Sequence, residues 1–388
     1  MVSLISSNTG TGLALQPDAS GQLQFSTGYG GTQLTLANNV LTLGSNVSMT
    51  MGDGTQWYTA QSLGTRNRII NGAMQISQRG TSFGNPTSGT GYTLDRWATT
   101  YDGTNGTFTI SQQALTLGDL NPFQYFLQWA QTVANSNSTY VRLQQKIENL
   151  TQFSGQTIAI SFYAKCSTSI SILVRADRYF GTGGSPSSPD NQGFVGAQTA
   201  TVTTSWQRFT FVAFITSLAG KTLGTNNDSY LLVGIDLPTS GTFTLSLTGF
   251  QVEMGTVATP FEFRQFGTEL QLCQRYFEMS YPQGIKPGTA STVAGQAYQN
   301  INNLSGSVNT GQIWVPFKVT KRVGATTAVT IYSGNSGSSG VLYDYNGSTD
   351  RTAGIQMIGD ESFVGYATTL GGSANTNFGF QWTASAEL

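Results

Sequence analysis

A chain of 388 residues with 38% hydrophobic and 11% aromatic content has material for two or three buried cores. Charged residues make up only 10%, the net charge is -1 and histidine is absent. This excludes a Ser-His-Asp triad, a Cys-His pair and an imidazole metal site, and leaves no accumulated positive field for nucleic acid or an anionic membrane.

Residues 1 to 64 read as short apolar doublets at i and i+2: Leu13/Leu15, Leu23/Phe25, Leu34/Leu36, Leu41/Leu43, then Val47/Met49/Met51. Turn-formers such as "PDASG", "GYGG" and "NN" separate them, so each predicts a short strand. Strands this short cannot enclose a core within one chain, so the segment is expected to bury its apolar faces in a homotrimer or against a partner, the alternative being a disordered leader rich in Gly, Ser, Thr and Asn. No run approaches the ~20 apolar residues of a membrane span, and "MVSLISSNTG" lacks a signal-peptide pattern, so no membrane insertion is expected.

From residue 65 arginines appear and the apolar runs lengthen, which places a domain boundary near 64. Between 141 and 265 the segments "VRLQQKI", "TIAISFYAK", "SISILVRA", "WQRFTFVAFI", "SYLLVGIDL" and "TFTLSLTGFQVEM" predict strands with no helical period between them. An antiparallel sandwich over 65–265 follows. "TIAISFYAK" alternates Ile158, Ile160, Phe162 with Thr157, Ala159, Ser161, the pattern of a half-buried strand. Asp95-Arg96-Trp97 reads as a buried polar pair beside a core indole, and Trp206, Phe209 and Phe211 read as core.

"GTELQLCQRYFEMSY" predicts a short connecting helix, with Thr268 and Gln271 as a capping box and Leu270, Cys273, Phe277 and Tyr281 on one face. Beyond it a smaller C-terminal β-sandwich completes the domain spanning 266–388. In it Phe378, Phe380 and Trp382 alternate as core, and Asn346-Gly347 marks a hairpin turn. Cys166 and Cys273 have no ligand-like spacing and read as buried free thiols.

The stretch "NRIINGAMQISQRG...YTLDRW", with "YVRLQQKIENLTQFSGQTIAISFYAK", "TTSWQRFTF", "DSYLLVGIDLP" and "FQVEMGTVATPFEFRQFGTELQLCQRYFE", resembles the tail-fibre proteins of tailed bacteriophages over about residues 66 to 281. The layout from 70 to 255 is also similar to jelly-roll carbohydrate-binding modules. The resemblance implies an all-β homotrimer on the virion, assembled in the host cytoplasm and acting extracellularly. It would attach through its N-terminal segment to a tail or baseplate protein and adhere to a host surface polysaccharide or lipopolysaccharide. Calcium-binding members of those modules carry a carboxylate soon after the opening Asn-Gly and an Asp pair in the final strand. Here Ala73, Met74 and Gln75 follow Asn71-Gly72, and Thr248-Gly249 stands at the pair, so no metal and no cofactor are expected.

The recognition site expected from the sequence is the tip of "VLYDYNGSTDR": Tyr343, Asp344, Tyr345, Asn346, Asp350 and Arg351, with the loop 177 to 193 as the other candidate. Non-enzymatic adhesion is the primary expectation, weakly salt-dependent because the chain has so few charges. A head fibre or decoration protein is the second reading. The third is a glycan-depolymerising tailspike using Asp360 and Glu361 or Asp344 and Asp350, although neighbours on one strand face opposite ways unless they sit in a turn.

Overall fold

The computed structural model describes residues 66–388 except 89–90, 104–105, 191–197, 292–294, 303–310, 324–327, 368–369 and 371–374, and five short strands before them. The chain divides into two compact units, Met1–Arg66 and Asn67–Leu388.

In the first unit, β1 (Leu23–Thr27), β2 (Gly31–Ala37) and β3 (Val40–Leu43) form an antiparallel sheet, and β4 (Ser48–Thr50) pairs with β5 (Gln56–Tyr58). The register sets Leu23 opposite Leu36, Phe25 opposite Leu34, and Leu34 and Leu36 opposite Leu43 and Leu41, so three of the doublets align. Leu13/Leu15 and the expected assembly of this segment lie outside the described residues.

The second unit is nearly all β. Its first part comprises β6 (Ser82–Gly84), β7 (Ala98–Tyr101), β8 (Thr107–Ala114), β9 (Tyr125–Val133), β10 (Val141–Glu148), β11 (Thr157–Cys166), β12 (Ile170–Tyr179), β13 (Gln198–Val202), β14 (Gln207–Phe214), β15 (Tyr230–Leu237) and β16 (Phe243–Met254). They make a jelly-roll sandwich of a five-stranded sheet, β13-β12-β15-β10-β7, against a six-stranded one, β14-β11-β16-β9-β8-β6. The inward residues of both sheets, among them Leu143, Val233, Val174, Ile160, Phe162, Phe250 and Trp129, interdigitate as one core. Six of these strands were expected; β6 to β9 and β13 were not.

β11 differs from the expected half-buried strand, since Ala159 and Ser161 are as buried as Ile158 and Ile160. The chain after β16 folds back over this face. Gln251 donates toward the carbonyls of Thr259 and Pro260, and Glu253 accepts from Thr259 N (2.8 Å) and Oγ1 (2.7 Å). Trp206 also departs from expectation: it is half-buried at the sheet margin, edge-on to Phe126 and below Lys165, while Phe211 is core and Phe209 packs against it.

The connecting helix α1 spans Phe266–Gln274 and is capped by the Gln265 backbone with no side-chain cap, so Thr268 lies inside the first turn and the capping box is not formed. Glu269, Cys273 and Gln274, not Leu270, are its buried residues, and Phe277 leaves the helix to begin β17 (Phe277–Met279). The cause is Glu269, whose carboxylate accepts from Asn71 N and Arg264 Nη1 and so turns that side of the helix toward the sandwich.

The C-terminal part adds β18 (Ala297–Asn302), β19 (Gly311–Pro316), β20 (Ala328–Tyr332), β21 (Val341–Asp344), β22 (Thr349–Gln356), β23 (Ser362–Ala367) and β24 (Asn375–Ser385). These seven strands and β17 form one sheet, β17-β24-β21-β22-β23-β19 with β18 and β20 also on β24. Its own core includes Val315, Ile331, Leu342, Phe363, Phe378, Phe380 and Trp382. Cys166 and Cys273 are buried and free.

The two parts are tied by ion pairs and polar bonds. Glu387 accepts from Arg96 and Arg79 (2.9 Å to the latter), and Arg275 Nη2 and Tyr276 Oη both donate to the Glu148 carboxylate, at 2.8 and 2.7 Å. Arg96 is almost fully buried at φ 71 and lies over the Tyr276 ring.

Candidate functional site

The opening stretch is structural. Asn71, at φ 59, accepts from Ile76 N (2.9 Å) and donates to Ile76 O (2.8 Å) and Asp95 O (3.1 Å), while Trp97 Nε1 donates to Asn71 O (3.1 Å). Gly72 must be glycine, since a Cβ there would stand 2.1 Å from Phe250 O. Asp95 and Arg96 are both buried, as expected, but they do not pair. Asp95 accepts from Gln78 N and Nε2, both at 2.6 Å, while Arg96 reaches Glu387 and the Lys146 carbonyl. The left-handed backbone at Arg96 turns the two side chains apart. Near the Asn-Gly, the Arg264 guanidinium donates to the carbonyls of Asn67 and Ile69 and meets Glu269. Among the described residues no group of three His, Cys, Asp or Glu could hold a metal ion.

The expected recognition hairpin exists, with Tyr345 to Ser348 turning between Asp344 and Thr349. Its polar groups are engaged internally. Asp344 is fully buried and accepts from Asn346 N, Gly347 N and Arg351 Nε at 3.1, 2.9 and 3.2 Å, so it fixes the turn. Asp350 accepts from the hydroxyls of Ser333 and Ser336, and Asn346 Oδ1 from Asn377 N (2.7 Å). The rings remain at the surface: Tyr343 and Tyr345 meet edge to face at 4.8 Å, and Tyr345 meets Tyr298 at 5.6 Å. Tyr298, 53% exposed on β18, was missed by the sequence because residues far apart in the chain bring it there. It faces Gly379, which stands opposite both Tyr298 and Tyr343 and leaves room for the rings. Asp360 and Glu361 sit in the turn before β23, both exposed.

A larger site lies on the outer face of the five-stranded sheet. Here the core takes Val141, Leu143 and Ile147 of β10 and Leu231, Val233 and Ile235 of β15, so alternation turns Arg142, Gln144 and Lys146 outward beside Tyr230, Leu232 and Asp236. The register aligns these in rows across the sheet: Arg142, Asp236, Leu173; Gln144, Gly234, Arg175; Lys146, Leu232, Asp177; Glu148, Tyr230, Tyr179. Six residues along β15 separate the first row from the last, a length of ~20 Å. The result is a groove of about 700 Å³, with Pro189 of the 177 to 193 loop also in its lining.

The groove combines three kinds of group. Tyr179 and Tyr230 stack at 4.5 Å with 12° between their planes, and Tyr140 lies beside Arg142. On the floor, Arg142 and Arg175 share Asp236 and Asp177, a network of paired charges that presents both donors and acceptors. Burial pushes the Asp177 carboxyl above its ordinary value, against the two arginines that favour its ionised form. At the centre Gly234 leaves the floor without a side chain between Gln144 and Arg175, where a Cβ would stand 2.4 Å from Leu143 O. Gln144 Oε1 and Thr100 Oγ1, both lining residues, are buried and have no hydrogen-bond partner among the described residues.

Beyond Tyr230 a second cleft of about 300 Å³ opens, lined by Glu148, Asn149, Asn227 and Ser229 of the jelly roll and by Arg275 and Arg322 of the C-terminal part.

No family model matches the chain, and no curated protein matches it. Among solved structures it is similar to a CBM4 module, with 17% identity, TM-score 0.28, and coverage of 48% of this chain and 99% of that one. It is similar to the enzymatically active domain of tailspike protein 4 of bacteriophage CBA120 at 13% identity and TM-score 0.29, covering 49% of this chain and 21% of that one. A third likeness is to the CBM22-1 xylan-binding domain from Paenibacillus barcinonensis, with 16% identity, TM-score 0.27 and coverage of 46% and 94%. Likenesses at this level say nothing about what the groove holds.

Proposed function

We propose that the chain is an adhesive fibre protein of a tailed bacteriophage, a homotrimer that holds a host surface polysaccharide or lipopolysaccharide in the jelly-roll groove without cleaving it. One observation carries the glycan reading: an open ~20 Å groove whose floor leaves Gln144 Oε1 and Thr100 Oγ1 unpaired and whose last row carries a stacked tyrosine pair. Buried polar atoms without partners are rare, and a ligand rich in hydroxyls satisfies them. The tyrosine faces take the apolar side of a sugar ring, and the Arg-Asp network bonds its hydroxyls. The virion role rests on the resemblance of the sequence to tail fibres, with the N-terminal segment anchoring and the hairpin of Tyr343 and Tyr345 as a second contact to the host.

The test is binding of purified protein to host cells before and after their surface glycan is stripped. Equal binding to stripped cells removes the glycan reading. Release of oligosaccharide from the purified glycan favours the tailspike reading, for which Asp360 and Glu361 have the required turn. Sedimentation should give about three times the 41.3 kDa chain, and a monomer removes the fibre assembly.

A further inference from the structure

The cleft beyond Tyr230 is continuous in the fold with the groove. Glu148, on its wall, stands directly opposite Tyr230 in the β10-β15 register, and Ser229 precedes Tyr230 in the chain. A chain of sugars lying along the groove toward Tyr230 is therefore directed at a pocket built by both parts of the unit. Its charges are not balanced pair by pair. Glu148 is saturated by Arg275 and Tyr276, and Asp228, next to the lining residues, is turned to Thr182, bonding its N (2.7 Å) and hydroxyl (2.5 Å). Glu387 is held by Arg79 and Arg96.

Arg322 has no such partner. Its guanidinium donates to three carbonyls, Ala386 O (2.9 Å), Glu387 O (3.2 Å) and Asn227 O (3.4 Å), and meets no carboxylate within ion-pair distance among the described residues. A half-buried guanidinium satisfied only by carbonyls retains its full charge, and burial holds its proton affinity below the ordinary value. Nearby, the Lys146 ammonium donates to Leu388 O (2.6 Å) and lies over the Tyr230 ring.

We infer that this cleft is a subsite for an anionic substituent, a carboxylate or a phosphate, on the polysaccharide that the groove holds, with Arg322 as its principal partner and Asn149, Asn227 and Ser229 supplying neutral hydrogen bonds. The inference rests on the glycan reading of the groove and makes the preferred ligand an acidic polysaccharide. It also confines salt sensitivity to one end of the ligand, because the charges of the groove floor are already paired.

The experiment is an array of oligosaccharides in matched pairs, each backbone printed neutral, with a uronic acid, and with a phosphate. The wild-type chain should bind an acidic member about tenfold more tightly than its neutral partner, a preference worth one charge-assisted contact. The carboxylate and phosphate arms identify which anion fits. Arg322→Gln should abolish the preference and leave neutral binding in place. Because Arg322 also braces the 386–387 backbone, Ser229→Asp provides the second variant: it leaves the Arg322 bonds to the Ala386, Glu387 and Asn227 carbonyls in place and sets a negative charge in the cleft, and it should reverse the preference. Tyr179→Ala with Tyr230→Ala should instead weaken neutral and acidic members alike. Equal binding of neutral and acidic members by the wild type overturns the subsite and spares the groove. Retained preference in both cleft variants overturns it as well. Failure of every member to bind overturns the groove reading and this one together.

Discussion

The groove face of the jelly roll and the tyrosine hairpin of the C-terminal part both set aromatic rings at the surface, yet they differ in what their polar groups are doing. At the hairpin the carboxylates are used up: Asp344 fixes the turn and Asp350 holds two serines. In the groove, paired charges lie along an open floor and two buried polar atoms lack partners. The groove sets rings, paired charges and unpaired polar atoms along one ~20 Å face, which a ligand long enough to span its rows completes.

The two regions belong to one unit, and its polar junction offers the strongest way to break the comparison. Glu387→Ala strands Arg96, which is 1% exposed, and should cost about 3 to 5 kcal/mol of stability, read by chemical denaturation. Because Arg96 also donates to the Lys146 carbonyl, the groove should loosen with it while the hairpin keeps its fold. A loss under about 1 kcal/mol would show the junction to be incidental.

Next comes the groove itself. Tyr179→Ala with Tyr230→Ala should weaken binding to host glycan by on the order of 2 kcal/mol, about thirtyfold, with the fold intact because both rings stand outside the core. Tyr343→Ala with Tyr345→Ala should cost less, roughly 1 kcal/mol, since Tyr298 remains and the turn is held by Asp344. Measured attachment of the two double variants ranks the regions directly. A larger loss at the hairpin would reverse the ranking and return the main site to the C-terminal part.

What the sequence revealed follows the same division. Strands such as β10, β12 and β15 were legible because one side of each carries a run of apolar residues at i and i+2, and the aromatic core of β24 was legible for the same reason. The hairpin was legible because turn residues and tyrosines are contiguous. The groove was not, because its residues are the polar half of three strands distant in the chain, and only register brings Gln144, Gly234 and Arg175 into a row. The one local signal was the glycine inside "LLVGID", unusual within a strand and a mark of close approach. The helix was placed too late in the chain because Thr268 and Gln271 imitate a capping box, whereas a buried Glu269 bonded to Asn71 and Arg264 decides its orientation from afar.

The smallest expected effect concerns acid. Burial raises the Glu148 carboxyl, but the bonds from Arg275 and Tyr276 more than offset it, so the group titrates below its ordinary value. A carboxylate whose folded pKa is depressed contributes stability above its unfolded pKa, and that contribution is lost as pH falls through the folded value. The brace between β10 and the start of the C-terminal part should therefore hold at neutral pH and weaken below the usual carboxylate range, near pH 4 and under. Denaturation followed between pH 7 and 3 should show the loss in the wild type and a flatter profile in Glu148→Gln, which has no charge to lose. Because Glu148 also walls the cleft, the same variant removes the negative charge nearest Arg322, and should bind an acidic oligosaccharide no more weakly than the wild type at pH 7. Identical pH profiles for the two proteins would mean that the pair does not brace the unit.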